Sequence, residues 1–137
     1  MKSLPILKKY SVKASKLEFQ PITDELLQGI TNDIGIYIFK NKRSKKIDYV
    51  GTATGQKGLK QRVKNQHLKP KYIKSVFRVK VANAKNKDIK DECVTFIKRN
   101  YKLALLPIQE HVSVIMALEQ VLIYEYLPKY NSETAKT

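Results

Sequence analysis

Cysteine is nearly absent: Cys93 stands alone in 137 residues, which excludes an internal disulfide and any zinc site built on cysteines. Histidine is almost as scarce, and His67 with His111 cannot make a multi-histidine metal centre. No apolar run approaches the ~20 residues that span a bilayer. Residues 1–16 lack the apolar stretch and small-residue cleavage site of a signal peptide. These absences point to a cytoplasmic protein, nucleoid-associated in a prokaryote. The length suits one domain with a single core, and no repeat or linker divides it.

Acidic residues are missing from one stretch in particular. Residues 40–80 hold fourteen Lys and Arg and one acid, Asp48, a local charge of +13 in a chain whose total is +15. A positive field confined in this way favours a polyanion, because each phosphate contact releases counterions. A lysine-rich surface that only confers solubility is the plainer reading, and confinement to one stretch tells against it. No basic amphipathic helix with exposed aromatics is evident, so no membrane partner is expected.

Turn and period signals give a coarse map. Residues 1–21 are basic and weakly patterned and read as an extension or an added element; residues 1–33 form an N-terminal extension with one short helix at 22–29, capped by Thr23 and stopped by Gly29. Strands are expected at 35–39 and 47–51 around a polar hairpin loop. A helix at 58–68 would turn Leu59 and Val63 inward. Alternation predicts a strand over 72–82, and 88–100 reads as a helix with Ile89, Cys93, Phe96 and Ile97 on one face. A strand follows at 102–108, then a helix over 110–127 ended by Pro128. Residues 132–137 read as a disordered tail. The expected fold is an α/β sandwich with a small mixed or antiparallel sheet between helices.

Two triplets stand out: Gly35, Ile36, Tyr37 in the first strand and Tyr49, Val50, Gly51 in the second. A hairpin would set their phenols side by side, although tyrosines in strands more often only pack. Glu119 lies in a helix that is apolar nearly all round, with Ile115 and Ile123 on its own stripe. Such a helix belongs in the interior, where a carboxylate is costly unless paired or bound to a metal; a glutamate at the helix edge, reaching solvent or a lysine, is the alternative. Arg62 adjoins the inward face of its helix and could grip a phosphate, or be one more solvated cation. Asn131, shortly after Pro128, is by default a turn residue.

Together these residues resemble the GIY-YIG nuclease family. The first triplet matches its first motif and the second its YVG form. Gly58, Leu59 and Arg62 resemble its arginine helix, Glu119 its glutamate helix, and Asn131 its closing asparagine, over residues 34–131. The resemblance implies a one-metal endonuclease acting on DNA. Glu119 would hold one Mg²⁺ or Mn²⁺, Tyr37 would serve as general base or proton relay, and Tyr49 would position water or phosphate. Arg62 would offset developing charge, and Asn131 would hold the site together. Lys57, Lys60, Lys64, His67 and Arg78 are the expected nucleic-acid contacts, with Tyr72 and Lys80 beside them. The partner would be double-stranded or branched DNA, with a homodimer or an accessory protein as further partners. Many relatives carry Tyr or His four residues after the arginine; here Gln66 holds that position and His67 follows. His67 is a base or phosphate contact if the helix is distorted there, and otherwise a surface histidine.

Other readings compete. Gly55, Gln56, Lys57 and Gly58 fit the GxxG loop of a KH domain, which would make this a nucleic-acid-binding module without catalysis. Asp88, Ile89 and Lys90 form the acid-x-lysine triplet of another nuclease class, without a nearby partner carboxylate. A small basic structural protein would leave Glu119 and the paired tyrosines unexplained.

Overall fold

The computed structural model describes residues 2–131. Its centre is a hairpin of β2 (Gly35–Asn41) and β3 (Ile47–Ala53), which pair antiparallel with Tyr37 opposite Gly51 and Phe39 opposite Tyr49. Asn41 closes the turn: its Oδ1 accepts the N–H groups of Arg43 and Ser44, and Lys45 takes a left-handed φ of 64°. On its other side β2 pairs antiparallel with β4 (Tyr101–Pro107), and the two-residue β1 (Gln20–Pro21) borders β4. The sheet order is β1-β4-β2-β3, which makes β3 an edge strand.

Residues Gly35 to Phe39 of β2 are all buried because helices cover both faces of the sheet. Alternation then sorts its side chains into two cores. Ile36 and Ile38, with Val50 and Leu106, meet α1 (Ser3–Ser15) and α5 (Val112–Tyr126) through Tyr10, Ala14, Ile115, Leu118 and Leu122. Tyr37 and Phe39, with Tyr49 and Tyr101, meet α2 (Asp24–Gln28), a π-helix (Lys60–His67), α3 (Val76–Lys85) and α4 (Asp91–Asn100). Phe77 stacks on both Phe39 and Tyr49, with ring centroids 4.5 and 4.9 Å apart. The result is an α/β sandwich around an open antiparallel sheet, as the element pattern predicts.

The weakly patterned start of the chain is α1, which docks on α5 with Tyr10 and Ala14 buried. Two expectations are corrected. The strand expected over 72–82 is helix α3, begun by Ser75, whose Oγ accepts the Arg78 N–H. Arg78, an expected nucleic-acid contact, is fully buried; Phe77, Arg78, Val81 and Ala82 make the helical stripe, and Val76 is exposed. Helix α5 is not interior all round: Val112, Met116, Val121 and Tyr124 face out, opposite Ile115, Leu118 and Leu122. Thr23 does cap α2, accepting the Leu26 N–H. The tail expected at 132–137 lies outside the described residues.

Because Tyr10 is buried between α1, the sheet and α5, Tyr10→Ala should lower stability by about 3 kcal/mol. Urea unfolding measures this, and a midpoint equal to wild type would show that α1 is dispensable to the fold.

Candidate active site

The register of the hairpin builds the floor of the site. With Gly51 opposite Tyr37, the phenol lies over the glycine, and a Cβ at 51 would overlap the Tyr37 ring. Tyr49 stands beside it, ring centroids 6.2 Å apart. Asn131 holds the strand between them from the side. Its Oδ1 accepts the Val50 N–H at 3.0 Å and its Nδ2 donates to the Val50 carbonyl at 2.8 Å, so one amide satisfies both backbone groups of an edge-strand residue.

The π-helix forms one wall. Gly58 leads into it at φ 55°, where a Cβ would strike the Asn32 backbone. The first free N–H groups, of Leu59 and Lys60, donate to the carbonyls of Asp33 and Thr31. The wide spacing persists to the end, where Leu68 N–H reaches back five residues to the Val63 carbonyl. Val63 and His67 point inward, while Arg62 stays exposed and donates to Gln66 Oε1. Helix α5 forms the other wall with Glu119 and Met116; Thr52 Oγ1 lies 3.9 Å from Met116 Sδ.

His67 is not a surface histidine. It is 2 % exposed, and its Nε2 meets the Tyr37 hydroxyl while its Nδ1 meets Ser75 Oγ. Ser75 Oγ already accepts the Arg78 N–H, so its own hydrogen finds an acceptor only if Nδ1 is the bare nitrogen. Hydrogen-bond accounting therefore favours the tautomer in which His67 Nε2–H donates to Tyr37 Oη. Burial pushes the imidazole down to about 3, helped by the charges of Arg62 and Arg78, so it is neutral at pH 7.

Burial likewise raises the Tyr37 phenol far above its usual range; Tyr49 and Glu119 add to this, and the charge and hydrogen bond of Arg62 oppose it. Tyr49 is raised by burial too, with Arg62 again opposing and Glu119 adding. Glu119 is half-buried, and burial raises its carboxyl against a Gln120 hydrogen bond and the Arg62 charge. The two phenols, the guanidinium and the carboxylate thus share one field, at the free edge of β3. Beside them opens a cleft of about 400 Å³ lined by Thr52, Lys57, Gln61, Arg62, Gln66 and Met116.

The remaining expected contacts scatter. Lys57 borders the cleft and is exposed, and Lys60 is half-buried on the π-helix. Lys64 lines a different hollow, with Leu27, Pro70 and Lys98. Lys80 donates to the Tyr130 carbonyl. Arg78 faces no solvent: its guanidinium donates to the carbonyls of Gln66, His67, Lys69 and Pro70. Two groups that matter here escaped the sequence reading. Ser75 carries only the signal of a helix cap. Asp48, the lone acid of the basic stretch, is buried, accepts from Tyr101 Oη at 2.7 Å and lies 3.8 Å from Lys129 Nζ.

The GxxG segment joins β3 to the π-helix, and thus follows a strand where a KH loop joins two helices. Asp88 is exposed ahead of α4, with its N–H on Glu92 Oε1. The family model for the GIY-YIG catalytic domain matches residues 33–131. A search of curated proteins finds no match.

His67 makes a pH-dependent contribution to stability. The folded imidazole stays neutral down to about 3, whereas the unfolded one takes up a proton near 6.5. The unfolded state binds more protons between those values, so stability present above 6.5 is lost as pH falls, by up to ~1.4 kcal/mol per unit. His67→Gln should be less stable at pH 7, with the gap to wild type narrowing by pH 4.5 in urea unfolding. A constant gap would show that His67 titrates normally in the fold.

Proposed function

The chain belongs to the GIY-YIG family of nucleases, and from that premise we propose that it is a divalent-metal-dependent endonuclease that hydrolyses phosphodiester bonds in DNA. The observation that carries this reading is the meeting of Tyr37, Tyr49, Arg62 and Glu119 at one open strand edge, beside a cleft bordered by Lys57. A module that only bound nucleic acid would gain nothing from a carboxylate there, since it repels phosphate.

Glu119 suits a hard cation. Its carboxylate is half-buried, and among the described residues no basic side chain lies within ion-pair distance of it. Glu119 would hold Mg²⁺ or Mn²⁺ through its carboxylate, with water and phosphate completing the shell. When bound, the ion supplies Lewis-acid stabilisation of phosphate and leaving-group oxygens.

The chain's own groups supply the rest. Arg62 is exposed at the cleft and presents a fork of donors to the scissile phosphate as negative charge grows on it. Tyr37 Oη takes the proton of the attacking water. Because burial keeps that phenol protonated at neutral pH, it works as a relay: as Oη accepts the proton of the attacking water, its own O–H proton passes to a second water in the adjoining cleft. Arg62 and the His67 Nε2–H both stabilise negative charge passing through Oη. Tyr49 orders water or phosphate from the neighbouring position, and Asn131 keeps the strand that carries Tyr49 in register. Lys57 and Lys60 hold flanking phosphates. The family implies a nucleic-acid substrate and the basic stretch supports that reading; double-stranded or branched DNA, with a second copy or an accessory protein as partner, is the substrate and partner set of this proposal. No described helix is long and apolar enough to cross a membrane.

Conversion of supercoiled plasmid to nicked or linear forms in Mg²⁺ or Mn²⁺ tests the proposal. Glu119→Ala should cut at least ~100-fold more slowly while keeping nucleic-acid affinity, because it removes no phosphate-binding cation. Tyr37→Phe should keep its fold and its binding and lose cutting to a similar degree. Cutting by Glu119→Ala at the wild-type rate, or in EDTA, would overturn the assignment.

A further inference from the structure

We propose that the hollow between the π-helix and the turn at 69–72 holds an unpaired nucleobase of the substrate, stacked on Tyr72 with its flanking phosphates on Lys69 and Lys71. This rests on nucleic acid being the substrate, and it specifies where a strand goes on leaving the cleft. The hollow measures about 450 Å³ and is lined by Gln61, Asn65, Lys69, Lys71 and Tyr72. That is ample for one base, and no acid lines it. Gln61 also lines the active-site cleft, so the two spaces share a wall.

The chemistry on the walls suits a base more than a phosphate alone. Gln61 and Asn65 sit one turn apart, and Asn65 Nδ2 donates to Gln61 Oε1 at 3.4 Å. That bond leaves the Gln61 amide N–H groups and Asn65 Oδ1 to meet donors and acceptors on a base edge. Tyr72 adds a half-exposed aromatic surface. Stacking of this kind takes a base that has left its own stack, whereas an intact duplex offers the hollow only its phosphates.

The turn is also ordered in advance. Tyr72 N–H donates to the Lys69 carbonyl at 3.0 Å. From below, the fully buried Arg78 donates to the carbonyls of Lys69 at 2.8 Å and Pro70 at 3.4 Å. Holding a surface turn that carries two cations and an aromatic with a buried guanidinium is costly for the fold. A rigid turn loses less entropy when a flexible strand settles on it.

The test is fluorescence anisotropy in EDTA with the full chain, using labelled oligo-dT, oligo-rU and a DNA duplex of equal length. Tyr72→Ala should weaken single-strand binding about tenfold and leave duplex binding unchanged, while Tyr72→Phe keeps both. A loss with oligo-dT alone or oligo-rU alone supports the site and identifies the sugar it accepts. Wild-type single-strand affinity in Tyr72→Ala, or equal losses for single strand and duplex, would overturn the proposal. Failure of the wild-type chain to bind any of the three would instead overturn the nucleic-acid reading beneath it.

Discussion

One buried guanidinium sets the shape of the side of this protein that carries the candidate site. Arg78 sits in α3 with no carboxylate partner among the described residues, and its charge is met by carbonyls where the π-helix ends and the next turn begins. A helix C-terminus carries partial negative charge and unsatisfied acceptors, which is what a buried cation requires. The same contacts fix the backbone of Gln66 and His67, and so hold the imidazole against Tyr37. The Arg78 charge also disfavours a proton on His67. The geometry at the centre of the site thus traces to a residue that touches no solvent, while burial chiefly keeps the imidazole neutral.

The site lies where the sheet runs out. Among the described residues β3 has no neighbouring strand beyond it, so the π-helix from one face and α5 from the other can bring side chains to a common edge. Gly51 makes this arrangement work: without a side chain there, Tyr37 can lie across the strand towards that edge. An open edge normally invites pairing with another chain. Here Asn131 blunts it by occupying both backbone groups of Val50. One side chain therefore steadies the site and protects the edge.

The sequence was most legible where a motif and a period coincide. The paired triplets, the hairpin between them and Glu119 on a long apolar helix could all be read because each depends on local spacing. Arg78 was not legible, since a positive residue in an alternating run signals an outward position until a set of carbonyls is found to receive it. Its misplacement turned α3 into an expected strand. α1 hides because the burial it achieves, through Tyr10 and Ala14, needs the partner surface of α5. His67 sits one residue beyond the usual position after the arginine, and a π-helix, with bonds spanning five residues, brings it inward. Its spacing of four from the inward-facing Val63 already sets it on the buried stripe, a signal outweighed by its offset from the position expected after the arginine.

The basic stretch consequently does several distinct jobs. Arg78 is structural, Lys80 is tied to the Tyr130 carbonyl, Lys64 faces a separate hollow, and only Lys57 and Arg62 among the cations line the cleft. Lys69 and Lys71 stand apart on the turn that Arg78 supports. Net charge would draw a polyanion to this side of the molecule, but a uniform field cannot choose a phosphate. On the proposed reading the choice falls to the few positions where a cation is fixed beside a phenol or an amide, and affinity and cleavage depend on different residues, so that each can change without the loss of the other.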